Sequence, residues 1–238
     1  MRLLLGSGGF RGDERRDLLV AEMQAFFGPI ERILFIPYAG HDHDGYVERM
    51  TEAGFHAGYE LVGIHRAADP VEAVEHCDGV YVGGGNTFRL IDSLHRLGLV
   101  GAIRQRVEAG LPYMGVSAGT NVACPTMMTT NDMPIVQPPS FDALGLVPFQ
   151  VNAHYYPGQF WFKEGEDFHP HFGETRQDRI REFHECSPTP VVGLQEGGVL
   201  LRDGDSYELR HADAVVFRPG REAEEVPRDV DIAALLGR

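Results

Sequence analysis

Residues Gly115-Val116-Ser117-Ala118-Gly119 form a G-x-S-x-G directly after the short apolar run "LPYM". A serine becomes a nucleophile when a sharp strand-to-helix turn projects its hydroxyl from the end of a sheet. Glycines two positions before and after it relieve crowding against the neighbouring strand and helix. The context fits: a strand-like run precedes Ser117, and "AGTNVAC" can open a helix that Pro125 stops after about two turns. A helix N-terminus beside Ser117 would favour negative charge developing there. The same pentapeptide also suits an ordinary glycine-flanked turn, so the other members of a catalytic set have to decide.

A base, an orienting acid and oxyanion donors are needed. Of the eleven histidines, His154 in "FQVNAHYYP" is best placed, at the end of a strand-like run downstream of the serine. Two acids suit the third position, Asp132 in "TTNDMP" and Glu196 in "LQEGG", and the pattern does not choose between them. In "VGGGNTFRL", Gly83, Gly84 and Gly85 end another strand-like run, and Asn86-Thr87 can cap a following helix. Such a loop can cradle a phosphate, serve as an oxyanion hole or simply turn the chain. It has neither the G-x-G-x-x-G spacing nor the lysine of a P-loop. The N–H groups of Gly85 and Ala118 are the candidate oxyanion donors. His41 and His43, and again His169 and His171, hint at metal binding, but no third ligand stands at suitable spacing and polar loops are the simpler reading.

The elements that must position these residues alternate for half the chain. Strands are predicted over 2–9, 32–39, 59–66, 79–85 and 111–116, and helices over 13–28, 44–58, 70–77 and 86–110. The first helix has Asp13 as N-cap and Gly28 as stop, and the last is a pair broken near Gly98–Gly101. The continuous apolar runs suit strands buried on both faces. The fold class is therefore α/β: three layers, a mostly parallel central sheet with helices on both faces, and a small antiparallel β section at the C-terminus. In that sheet the strand ends at 83 and 116 face one crevice. After residue 135 the pattern becomes a loop and strand over 137–158, a charged helix over 173–185, short strands over 190–220 with an Asp203-Gly204 hairpin, and a short last helix over 229–238. No linker or repeat divides the chain, which reads as one domain over 1–238.

Composition narrows the function. Lys and Arg number 21 against 35 Asp and Glu, a net charge of -14, which disfavours binding to nucleic acid. The three cysteines, Cys77, Cys124 and Cys186, are widely spaced and odd in number, so they read as buried, inert thiols rather than a disulfide or zinc framework. The leading "RLLLG" is too short for a signal peptide, and no stretch approaches the roughly 20 apolar residues of a membrane span. The chain reads as soluble and cytoplasmic, with no membrane partner.

With these residues assembled, the sequence resembles the peptidase E family, the α-aspartyl dipeptidases. The matches run in order through "FIPYAG", "VGGGNTF", "SAGTNVACPT" with "TTNDMPIV", "FDALGLVPFQVN" and "GETR", and the SAGTN–TTND pairing is the most specific. The resemblance implies a class I glutamine amidotransferase-like fold with serine as nucleophile. It implies hydrolysis of dipeptides with an N-terminal aspartate (Asp-Xaa) through an acyl-enzyme, with no cofactor or metal. It places the nucleophile on Ser117, the base on His154, the acid on Asp132 or Glu196, and the oxyanion donors on Gly85 and Ala118. Arg176 in "GETR" becomes the reader of the aspartyl side chain, since a bidentate arginine suits a carboxylate, and Asn86 a second substrate-binding residue. The alternatives are a cyanophycinase-like hydrolase of β-Asp-Arg and a non-catalytic amidotransferase-like binding domain. The segment 155–173, long and aromatic beside the base, can form a lid, a dimer contact or an altered pocket. A homodimer is possible.

Overall fold

The computed structural model describes residues 1–236. The first half of the chain builds β1 (Arg2–Gly6), α1 (Asp13–Phe27), β2 (Arg32–Ile36), α2 (His43–Glu52), β3 (Glu60–Gly63), α3 (Pro70–Glu75), β4 (Val80–Val82), α4 (Thr87–Arg96), α5 (Leu99–Glu108), β5 (Tyr113–Val116) and α6 (Ala118–Ala123). The second half adds β6 (Gln150–Tyr155), β7 (Trp161–Glu164), β8 (Asp167–Pro170), α7 (Arg176–Cys186), β9 (Val191–Gln195), β10 (Val199–Asp203), β11 (Ser206–Arg210), β12 (Ala214–Phe217), β13 (Glu224–Val226) and β14 (Val230–Asp231).

Eight strands form the main sheet in the order β14-β11-β10-β1-β5-β4-β2-β3. From β1 to β3 every neighbouring pair is parallel, and β10, β11 and β14 extend the other edge antiparallel. Successive side chains serve opposite faces. Leu3, Leu5, Leu34, Ile36, Val80 and Val82 pack on one face with α3 to α6, whereas Leu4, Ile33, Phe35 and Tyr81 pack on the other with α1 and α2. Each such fully buried aliphatic or aromatic side chain contributes about 1.5–3 kcal/mol relative to exposure, which is why these strands read as continuous apolar runs.

The C-terminal β section is more divided than the sequence predicts. Its strands split between two sheets. β10, β11 and β14 join the main sheet, while β12 and β13 join β9 and β6 in a second sheet ordered β13-β12-β9-β6, in which β6 and β9 run parallel. One face of this sheet faces the α3–α6 layer, and the other receives Ile180 and Phe183 of α7. Short apolar strands carry no local mark of their partner, so the split is not visible in the pattern. Boundaries move too. α2 stops at Glu52, and the 59–66 strand ends at Gly63 and passes into a single 3-10 turn, Ile64–Arg66. The N-cap of α1 is Gly12, with Asp13 in the first turn, where its charge favours the helix dipole. The last predicted helix is a 3-10 turn over Ala233–Leu236, and residues 237–238 lie outside the described residues.

Of the three thiols, Cys124 is buried and Cys77 half-buried, with burial pushing them up to about 12 and about 11, but Cys186 is exposed at the end of α7. The expectation of three buried thiols therefore fails at Cys186, where the last turn of an amphipathic helix faces solvent. Among the described residues, no helix is long and apolar enough to cross a membrane.

Candidate active site

The crevice lies at the carboxyl ends of β1, β5 and β4, which are neighbours in the sheet. Ser117 occupies the turn between β5 and α6 at φ 56° and ψ -110°. A non-glycine residue held there stores about 1–3 kcal/mol of backbone strain, tolerated only when its surroundings fix it. The fixing bonds are present: the Ser117 N–H donates to Gly6 O (2.9 Å) and its carbonyl accepts from Asn121 (2.9 Å). The Thr120 hydroxyl reaches Gly6 O and Gly115 O, and the Tyr113 hydroxyl donates to Gly119 O at 2.6 Å. The two glycines of G-x-S-x-G are steric necessities. A Cβ at Gly119 would lie 2.1 Å from Val82 O, and one at Gly115 would lie 2.4 Å from Gly119 O.

Ser117 Oγ lies 2.8 Å from His154 Nε2, and His154 Nδ1 lies 2.7 Å from Glu196 Oε1. An ionised carboxylate only accepts, so Nδ1 carries the proton and Nε2 is left to accept from the serine hydroxyl. Of the two acids left open by the sequence, Glu196 is the one that meets the histidine. Both side chains are about half open to solvent, 40% for His154 and 45% for Glu196, so the pair adds little to stability. His154 itself sits at φ 56° where β6 slips register against β9 between Asn152 and Tyr155. That bulge turns the ring toward the crevice.

Asp132 is engaged elsewhere. Its Oδ2 accepts from the Thr87 N–H (2.7 Å) and the Thr87 hydroxyl (2.6 Å), and the Thr130 hydroxyl stands 3.0 Å away. Thr87 is the first residue of α4, so the carboxylate lies at that helix's positive end. The "TTND" segment alternates. Thr130 and Asp132 bind the start of α4, whereas Thr129 and Asn131 donate to Val151 O and Ala153 O of β6, and Asn152 donates back to Thr129 O and Asn131 Oδ1. Four residues thus tie the glycine loop's helix to the strand that carries His154.

The glycine loop lies against the nucleophile. A Cβ at Gly84 would stand 3.1 Å from Ser117 Cβ, and Gly85 adopts φ 130° with Ala39 O where its Cβ would be. The loop is braced by Tyr46, whose hydroxyl donates to Gly84 O at 2.8 Å. Burial pushes that phenol up to about 12, so it stays a donor. The Gly85 N–H donates to no group among the described residues. The Ala118 N–H opens α6, where no intrahelical acceptor exists. Asn86 caps α4 through Arg89 N–H and donates to Met133 O, so its side chain is spent largely on structure.

Arg176 begins α7. Its guanidinium makes no ion pair among the described residues, and its buried Nε has no partner. Burial lowers its pKa from the usual arginine range, helped by Arg179 and opposed by Asp132. A cavity of about 1070 Å³ opens over the site, with Ser117, His154, Gly84, Gly85 and Asp132 in its wall, and runs between α1 and α2. Among the described residues, no three His, Cys, Asp or Glu stand together as metal ligands; His43 packs instead on Tyr38 and His65.

Two contributors escaped the sequence reading. Ser7, fully buried, donates to Leu194 O and accepts the His154 N–H, both at 2.8 Å. Gly8 and Gly9 wrap the His–Glu pair so closely that a Cβ would lie 2.2 Å from His154 Cε1 or 2.3 Å from Glu196 Oε2. The signal was "GSGG" at the end of the first strand, beside the nucleophile's own.

A hydroxyl bonded to an imidazole that is bonded to a carboxylate is how serine hydrolases raise the nucleophilicity of an alcohol, and this fold and crevice correspond to that class. Comparison narrows it. Residues 2–210 match peptidase family S51. Peptidase E of Streptomyces coelicolor is 47% identical over 209 residues, covering 86% of this chain and 82% of that one. Peptidase E of Shewanella amazonensis is 45% identical over 207 residues, covering 85% of each. A peptidase structure from an acI-B1 actinobacterium shares the fold at TM-score 0.66 and 18% identity, over 97% of this chain and 96% of the other. A peptidase E candidate from Listeria monocytogenes EGD-e does so at TM-score 0.59 and 23% identity, over 95% and 98%. The chain belongs to peptidase family S51 and is a serine-type peptidase.

Proposed function

We propose that this peptidase hydrolyses dipeptides with an N-terminal aspartate. Ser117 Oγ attacks the peptide carbonyl as its proton passes to His154 Nε2. Glu196 holds the imidazole in the required tautomer and stabilises the imidazolium. The N–H groups of Gly85 and Ala118 receive the developing oxyanion. The proton then goes to the leaving amine, and water activated by the same histidine releases aspartate from Ser117. The single observation that carries the reading is the unbroken Ser117–His154–Glu196 chain of hydrogen bonds.

Arg176 supports the aspartyl preference. A part-buried guanidinium with no anionic partner of its own is matched by a substrate carboxylate, and that pairing offsets the unfavourable net charge of -14. The reading takes residues 1–238 as one catalytic domain, because the nucleophile and base come from different sheets. It also takes the protein as cytoplasmic and homodimeric, with the exposed aromatic side chains of the β7–β8 hairpin supporting self-association. Sedimentation would return a monomer if that last part is wrong.

The test of substrate is a kinetic panel of Asp-Leu, Glu-Leu, Ala-Leu and N-acetyl-Asp-Leu on wild type and Arg176→Ala. Asp-Leu should lead, and R176A should lower its kcat/KM by about a hundredfold while barely touching Ala-Leu. Equal rates for Asp-Leu and Ala-Leu in wild type would remove the aspartyl preference.

A further inference from the structure

Glu196 orients the histidine, which leaves Asp132 without a part in the proton relay. Asp132 nonetheless lines the catalytic cavity with Ser117 and His154. Its bonds are one-sided: the Thr87 N–H, the Thr87 hydroxyl and the Thr130 hydroxyl all fall on Oδ2, and Oδ1 accepts from no group among the described residues. A carboxylate that served only to clamp α4 would need that one oxygen.

Arg176 supplies the second half of the argument. Asp132 is close enough to oppose the lowering of the Arg176 pKa, yet the two form no ion pair among the described residues. Opposite charges within electrostatic reach normally close up, since each is otherwise left to solvent or to desolvation. Asp132 at the start of α4 and Arg176 at the start of α7 thus stay one negative and one positive group that feel each other without pairing, the negative one in the cavity wall. The ligand that satisfies both carries an ammonium and a carboxylate a few bonds apart.

We propose that Asp132 binds the α-ammonium group of the substrate's first residue. The assignment rests on the aspartyl dipeptidase reading above. An aspartyl residue with a free N-terminus has this charge pair on adjacent carbons: its α-ammonium falls to Asp132 and its β-carboxylate to Arg176. The same contact restricts cleavage to the first peptide bond. A residue further along a chain has an amide there, which carries no charge and leaves Oδ1 desolvated without its cation. "TTND" thus has two uses. All four residues build the scaffold, and the last also presents a charge through its Oδ1.

The experiment is calorimetric titration of wild type and Asp132→Asn with L-aspartate and with succinate, which is the same diacid without the amino group. Wild type should hold L-aspartate more tightly than succinate by on the order of tenfold. D132N should lose ten- to a hundredfold for L-aspartate, about one charge-assisted hydrogen bond, and hold succinate as before or more tightly. Steady-state kinetics give a second readout that a structural role would not move. The wild-type kcat/KM for Asp-Leu should fall as pH rises through about 8, where a dipeptide's α-ammonium loses its proton, and D132N should flatten that limb. Equal affinity of wild type for the two diacids overturns the assignment, and so does an equal loss of both in D132N. Should D132N fail to fold, the wild-type comparison and pH limb decide alone. If wild type binds neither diacid and leaves Asp-Leu intact, the aspartyl reading itself fails and takes this assignment with it.

Discussion

The catalytic crevice and the β7–β8 hairpin are joined in sequence, at Tyr155 beside the base and again just before Arg176, yet they are built in opposite ways. In the crevice each side chain is fixed from several directions. Ser117 is held through its N–H and its carbonyl, His154 through its backbone and both ring nitrogens, and the TTND segment through bonds to two different elements. In the hairpin every residue of both strands is exposed, including Trp161 at 60% and Phe168 at 64%, and Phe172 just beyond it is 97% exposed. The hairpin closes on itself, through its own ladder and contacts such as Phe162 with His169. Order in this protein is concentrated where chemistry needs a fixed atom. Between the base and Arg176 the chain carries a large aromatic surface that the fold does not use.

That contrast makes graded demands on substitution. The largest effect belongs to Ser117→Ala, which should cut kcat for Asp-Leu by about a millionfold with an unchanged melting curve. Residual turnover near the wild-type level would remove the serine from the mechanism. Next comes Ser7→Ala. Losing that hydroxyl strands the part-buried His154 N–H, so unfolding free energy should drop by about 1–3 kcal/mol, read as a melting shift of several degrees, and kcat by about tenfold. A Ser7→Ala protein as stable and active as wild type would show that the base strand does not depend on this bond. The smallest effect is expected for replacing residues 158–172 with a short Gly-Ser bridge. Because almost nothing there is buried, the melting midpoint should move by less than about 2 °C. A drop as large as that of Ser7→Ala would mean the hairpin packs on the body after all, and the contrast would collapse.

The same contrast governs what the sequence discloses. Strands β1, β2, β4 and β5 are legible because burial on both faces writes continuous apolar runs, whereas edge strand β3 is buried on one face only, and the break between α4 and α5 is legible because Gly98 must adopt φ 69°. The placing of Ser117, the Gly83–Gly85 loop and His154 at one crevice is legible because an elbow, a glycine loop and a histidine at a strand end are local patterns. The choice between Asp132 and Glu196 is not local. It depends on β9 lying parallel to β6, a pairing between strands some forty residues apart that two short apolar runs do not announce. Ser7 is hidden for the same reason: its partners, Leu194 O and the His154 N–H, are distant in sequence. The second sheet is missed because strand patterns record which face is buried and not which strand lies alongside.

The central claim is that Ser117 is activated by His154 oriented through Glu196. The most direct measurement is the rate at which a fluorophosphonate labels Ser117, followed by mass spectrometry, in wild type, Glu196→Gln and Asp132→Asn. This reagent has no ammonium group and so does not draw on Asp132. The account predicts labelling at Ser117 in wild type, slowing of at least about a hundredfold in E196Q, and a rate within a few-fold of wild type in D132N. Slowing confined to D132N, or a label on another residue, would contradict it.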